Sequence, residues 1–518
     1  MGHIPSQPLH FFSPYRAIQG LKSSPQNQWY HRPIQEVARY LSPLVIENIK
    51  VEETVNKVKQ QLQEETSLSP ALRTSLELLL VLISILLSRL TLNSKNSSKP
   101  PSTDPNREKQ GKGDGNGKPG GQKGHVGNHL EREAEPDAIE TIKVDRRTLP
   151  RNGHFQPVGY EWRQVFDIDI SRFITEYRAE VLMDEHGRRV VAPFPDSVSA
   201  PVQYGMGVKV NAVYMSNFQL IPYNRIVDHF SDQFGLPLSA GSLYNFNVEA
   251  FERLERFEQW LIRTLPQEPV LHADETGINI GGKRRWLHVV SSPSCTYFLP
   301  HEKRGTEAMI EMGVLMGFMG TLVHDHWKPY YKLACIHALC NAHHLRELER
   351  AWEQDAQQWA KEMQALLREI NKAVDIAGDA LGEMEAEAFR HRYRQLLDEA
   401  ELESPPPDES QRKKGQRGRM KRSKARSLLE RLRNYEEDVL RFMVVNEVPF
   451  TNNLGENDLR MTKVHQKVSG CFRSDKGAKM FCRIRSYLST CRKHGISSSK
   501  ALRLLFQGRW PDFMATET

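Results

Sequence analysis

Apolar positions recur at three-to-four spacing at Val51, Val55, Val58 and Leu62 and then merge into the run LLLVLISILL at 78–87. That period predicts a helical unit over 44–92. Either self-association or an ordinary helical hairpin would satisfy its apolar face. Residues 1–43 show no sustained period and read as a disordered tail, and 93–130, rich in Pro, Gly, Ser and Lys, reads as a basic linker. Between 131 and 200 the pattern shortens to AIETIKV, YEWRQVFDIDI, RFITEYRAEVLM and RRVVAPFP, which predicts a small β unit. Residues 201–265 return to helical spacing. The step FGLPLSAGS inside them, with Ser239 or Ser242 as N-cap, predicts a helix-turn-helix or a plain hairpin.

From 266 to 345 the pattern becomes strand, strand, strand, helix, strand. VLHADETGINI leads it, with the first strand expected to end at Asp274, and GTLVHDHWKPYY closes it at Asp325. In an RNase H-like domain, which opens in this order, the first and fourth strands are neighbours, so acids at their ends converge. Helical periodicity over 346–445 predicts a long insertion, 446–500 the last part of the core, and 501–518 a C-terminal tail. The fold class expected is α+β and multidomain: an RNase H-like, retroviral-integrase-type mixed α/β core with a helical insertion, preceded by helical and small β units.

Composition narrows the function classes. Among 518 residues, 71 Lys and Arg face 64 Asp and Glu, a net charge of +7. The excess is modest, so its local placement matters more than its sum. Six cysteines without a regular framework fit a reducing compartment. The ten-residue apolar run falls short of the roughly 20 residues a membrane span needs. The expectation is a cytoplasmic, nucleoid-associated protein with no membrane partner.

The candidate chemistry is carried by acids. Asp274 and Asp325 end two strands, and Glu456 lies in TNNLGENDLRMTKVHQKVSG, a helix that Asn452 or Asn453 would cap. Three carboxylates from separate elements can hold two Mg²⁺ ions and so promote displacement at a phosphodiester. Taken singly, each acid reads more readily as a turn cap or a solvated helix residue than as a metal ligand. Arg460, Lys463, Lys467 and Arg473 follow Glu456, with Lys476, Lys479, Arg483 and Arg485 beyond them. A second basic run, QRKKGQRGRMKRSKARS, contains Lys413, Lys414, Arg417 and Arg419. Both are candidate phosphate contacts, against solvated surface as the alternative. Cys340 and His343, in a cluster with Cys335, His337 and His344, lack paired Cys-x-x-Cys spacing. A buried helix with polar contacts is the plainer reading there, with zinc left open.

Taken in order, NSKNSSKPPSTD, GGQKGH, HADET, HDHWKPYY, LCNAHHLREL, TNNLGENDLR and KVSGCFRS resemble the IS66 family of transposases, over about 90–500. The resemblance implies a DDE enzyme with an RNase H-like core, with Asp274, Asp325 and Glu456 as metal-binding catalytic residues and two Mg²⁺ ions, replaceable by Mn²⁺, as cofactors. It also implies DNA partners (the terminal inverted repeats of a mobile element and its target), a homo-oligomeric synaptic complex and small accessory proteins. Cys340-x-x-His343 is similar to a short motif found between the second and third acids in several such groups. Two departures stand out: residues 126–294 lack the cysteines of the family's zinc module, and Asn457 stands where relatives usually carry Arg. A catalytically inactive DNA-binding descendant and a nuclease that cuts without joining are the rival readings.

Overall fold

The computed structural model describes residues 45–46, 49–65, 67–90, 93, 96, 130–168, 170–408, 410, 412 and 420–517. The chain divides into two compact units, 1–111 and 112–518.

In the first unit, strands β1 (Val45–Ile46) and β2 (Ile49–Lys50) pair antiparallel and lead into helices α1 (Val51–Glu64) and α2 (Pro70–Leu90). Leu62 and Leu80 are buried, whereas Leu78, Leu79, Val81, Leu82, Ile85 and Leu86 are exposed around α2. A helix apolar on every side normally lies inside a protein. Among the described residues no helix is long and apolar enough to cross a membrane.

The second unit begins with irregular chain. Between 131 and 200 the only strands among the described residues are β3 (Val181–Met183) and β4 (Arg189–Val191), an antiparallel pair closed by Asp184, which accepts from the His186 and Arg188 amides. The expected β unit is thus reduced to one hairpin. Val165, Ile168, Phe173 and Ile174 upstream are exposed, with no second layer over them among the described residues.

Helices α3 (Met206–Val213), α4 (Tyr223–Phe234), α5 (Ala240–Arg253) and α6 (Glu255–Thr264) follow, with a π turn at Tyr214–Phe218. Ser239 is the N-cap of α5, accepting from the Ser242 amide. Next comes the sheet: β5 (Val270–Ile280), β6 (Lys283–Ser291), β7 (Thr296–His301), helix α7 (Thr306–Met312), then β8 (Thr321–His324) and β9 (Ile336–Leu339). Its order is β7-β6-β5-β8-β9. The first three strands are antiparallel; β8 runs parallel to β5 and β9 parallel to β8.

The chain between β9 and the last helices is helical, in α8 (Asn341–Asp355), α9 (Gln358–Ala377), α10 (Glu383–Glu403), α11 (Lys424–Asn434) and α12 (Glu436–Leu440). They share a core with Val270, Val323, Ala338 and Leu339 of the sheet. Finally α13 (Asn453–Ser469), α14 (Asp475–Lys493) and α15 (Ser498–Phe506) return to the sheet. Leu459 of α13 and Phe481 of α14 pack on Ile278, Leu287 and Val289, and α14 also joins α3–α6 in the largest core. The expected C-terminal tail instead packs as far as Met514: Leu502, Leu505 and Met514 are buried in that largest core.

Candidate active site

β5 does not stop at Asp274. It pairs with β6 along its length, while its pairing with β8 ends at His272 opposite Val323. Its far half therefore has no strand on the β8 side, and its carbonyls need other donors. Helix α13 supplies them. Asn452 Nδ2 donates to the Ala273 carbonyl at 2.8 Å, Gln466 Nε2 to the Gly277 carbonyl at 3.0 Å, and Lys463 Nζ lies 3.4 Å from the same oxygen. At the end of β5 the Phe472 amide donates to Asn279 and the Gly281 amide to Phe472.

This edge carries the acids. Asn452 occupies the N-cap position of α13 without capping it; its side chain instead bonds Ala273 and the His272 ring, and its amide donates to Cys340 Sγ at 3.1 Å. The first turn of α13 is thereby fixed against β5. Gly455 permits the approach, since a Cβ there would lie 3.3 Å from Asn452 Oδ1 and 3.6 Å from Asp274 Cβ. Glu456 is one residue further on, at the electropositive end of the helix. Asp325 directly follows β8. Its Oδ1 accepts from the Trp327 amide at 3.0 Å, across His326, whose φ of 68° turns the chain sharply.

Burial pushes the Asp274 carboxyl well above its ordinary range, reinforced by the charges of Glu275, Asp325 and Glu456 and opposed by a hydrogen bond from the Glu275 amide. Glu275 is raised as well, by burial first and then by Asp325; Tyr330 Oη, donating at 2.7 Å, and the Arg304 guanidinium oppose the rise. Four carboxylates thus share one field, and Arg304, on Glu275, is the only cation ion-paired to any of them among the described residues unless His343 is protonated. The three expected acids are not the tightest set of ligand atoms. Among the described residues that set is Cys340, His343 and Glu456, whose ligand atoms lie within 4.8 Å of one another. Cys340 Sγ and His343 Nδ1 are each 3.8 Å from Glu456 Oε1. Burial lowers the basicity of His343, opposed by the Glu456 charge, and its Nδ1 has no hydrogen-bond partner among the described residues.

Of the expected basic residues, Arg460, Lys463, Lys467 and Arg473 are exposed on α13 and the turn after it. Arg483 and Arg485 point inward, Arg483 to Glu258 and Arg485 to the Asn217 and Phe218 carbonyls. Lys413, Lys414, Arg417 and Arg419 lie outside the described residues. Sequence reasoning passed over Glu275, Arg304 and Tyr330, and read Asn452 only as a cap. The second carboxylate of HADET was the one visible signal, because its partners come from residues 29 and 55 positions away.

A family model described as Transposase IS66 family matches residues 201–480, 280 of the 518 positions, and this span contains Asp274, Asp325 and Glu456. Residues 43–131 match a family of unknown function, DUF6444. No curated protein matches the chain.

Proposed function

The chain belongs to the IS66 transposase family, and from that premise we propose that it cuts and joins DNA at the ends of an insertion element through Asp274, Asp325 and Glu456, held in an RNase H-like core. The observation carrying this reading is electrostatic. A half-buried Asp274 is loaded by three neighbouring acids and has no ion-pair partner among the described residues. Uncompensated carboxylate oxygens are the donor set hard divalent cations prefer, which fits the metal dependence the family implies. Mg²⁺, with Mn²⁺ as substitute, is the ion proposed. Such ions, when bound, supply positive charge to the attacking and leaving oxygens of a phosphodiester. The strand order, with β8 parallel to β5, supports the RNase H-like assignment.

The protein's own groups divide the remaining work. Asp274, Asp325 and Glu456 hold the ions; Asn452 and Gly455 hold Glu456 against β5; Arg460, Lys463, Lys467 and Arg473 face the DNA backbone. Cys340 steadies the Glu456 carboxylate through its thiol, with His343 beside it. Copies of the chain act together in a synaptic complex on the element's terminal repeats and the target, a reading supported by the uncovered apolar surface of α2.

The test is a strand-transfer assay with the full chain, Mg²⁺ and labelled DNA from the borders of the gene, with any small proteins encoded beside it added. We expect joined products from the wild type and a loss of about 10²-fold or more in Asp325→Asn, several kcal/mol of lost charge stabilisation, with DNA binding retained. Cleavage without joining would make the protein a nuclease, and binding without cleavage a DNA-binding descendant.

A further inference from the structure

Beside the carboxylates runs a stack of alternating cations and rings. It begins on the turn after Asp325, where Tyr330 packs edge-on to Trp327 with centroids 5.5 Å apart. The Arg304 guanidinium lies 4.5 Å from the Trp327 centroid and 5.0 Å from that of Trp286, and Arg284 lies 4.8 Å from Trp286. Arg284 and Trp286 are two residues apart on β6 and so share a face of the sheet. Opposite Trp286 stands Gly277, where a Cβ would come within 3.4 Å of Arg284 Nε. Lys463 reaches Gly277 as well, at its carbonyl.

The cations are held in place yet not satisfied. Arg304 binds Glu275 Oε1 through Nε at 2.7 Å and through Nη2, while no acceptor among the described residues takes its Nη1 hydrogens. Its side chain is 38% exposed, although Glu275 beneath it is fully buried. Arg284 is exposed and has no carboxylate partner among the described residues. Burial first, and then the charge of Arg284, weaken the hold of Lys463 on its proton, with Asp274 opposing. Like charges gathered on ring faces next to a metal-type acid cluster fit a polyanion that passes between them. Guanidinium groups immobilised by stacking bind phosphate with little further loss of freedom.

We propose that Arg304, Arg284 and Lys463 form a phosphate clamp for the DNA strand that enters beside Asp274 and Asp325. The clamp rests on the DNA-cutting reading above and adds Arg304 and Arg284 to it as DNA-contacting residues, with Trp286 and Trp327 as their positioning residues. Glu275, itself held by the Tyr330 hydroxyl, anchors the inner edge of Arg304, leaving its outer edge for a phosphate oxygen.

The test measures binding of a labelled duplex copied from the gene's borders to the full chain across a salt series, together with cleavage in Mg²⁺. The variants are Arg284→Gln, Arg304→Lys and Arg304→Gln. Each lost phosphate contact should flatten the slope of log K against log salt by about one. Cleavage should fall about tenfold in Arg304→Lys, which keeps the charge near Glu275 but loses the fork and the stacking. Arg304→Gln leaves a buried Glu275 without its cation and can fail to fold; Arg284→Gln, at an exposed position with no ion pair, keeps the test intact. Wild-type cleavage accompanied by an unchanged slope in Arg284→Gln and by undiminished cleavage in Arg304→Lys would overturn the clamp alone. Absence of wild-type DNA binding would overturn the DNA-cutting reading and the clamp with it.

Discussion

At Asp274 the cost of a functional site can be located. A carboxyl that is partly withdrawn from water and faces three other acids is stabilised in its protonated form, so the folded state binds its proton more tightly than the unfolded chain does. The sign follows: as pH rises from the ordinary carboxyl range of about 4, ionisation is easier unfolded than folded, and metal-free stability falls. Asp274→Asn should therefore raise the thermal midpoint in EDTA, more at pH 8 than at pH 5, and should shrink the stabilisation that Mg²⁺ confers. Melting curves of both proteins with EDTA and with Mg²⁺ check this; an equal or lower midpoint for the variant in EDTA at pH 8 would contradict it. Asp274, Asp325 and Glu456 could be picked out from motif order, whereas the raised proton affinity could not. It depends on Glu275 and on burial, and neither leaves a periodic trace in the chain.

At the scale of elements, the position of α13 decides where Glu456 sits. Asn452 fixes its first turn, and Asp458, one turn further along, fixes its rotation: Asp458 Oδ2 accepts from Ser291 Oγ at 2.6 Å, Thr296 Oγ1 at 3.0 Å and Lys493 Nζ at 3.1 Å. Lys493 also donates to the Ser292 and Cys295 carbonyls, so this ion pair ties α13 and α14 to the ends of β6 and β7. Breaking one half of this half-buried pair strands the other charge, at a cost below the fully buried limit, about 1–3 kcal/mol. We expect Asp458→Ala to lose stability on that scale in urea unfolding with an unchanged slope, and Asp458→Asn/Lys493→Met to recover part of it. If the double variant is no more stable than the single one, the stranded charge is not the cause. The helix was legible from its spacing. Its attachment was not, because Asn452 reads as a cap and its partners lie 179 and 180 positions away.

For the whole molecule, the two units pose different questions. From Val210 onward the second packs its large cores on one sheet, and its helical insertion shares that sheet's core. In the first, α2 leaves six or more large apolar side chains in solvent, which a lone hairpin does not stabilise. Deleting residues 44–92 should lower the oligomeric mass measured by light scattering while the remaining chain keeps its melting transition. An unchanged mass would remove α2 from the assembly.

Local chemistry written along the chain determined the helix periods, the strand, strand, strand, helix, strand order and the three acids as candidates, because each rests on spacing within a few residues or on motif order. Tertiary structure alone decided that β5 runs past Asp274 with its free carbonyls covered by α13, that Arg483 and Arg485 turn inward, that the C-terminal residues join the core, and that Glu275 and Arg304 stand beside the acids. Those outcomes depend on which distant segments meet. Burial and pairing across more than a hundred residues are collective properties of the packed chain, so no window of the sequence contains them.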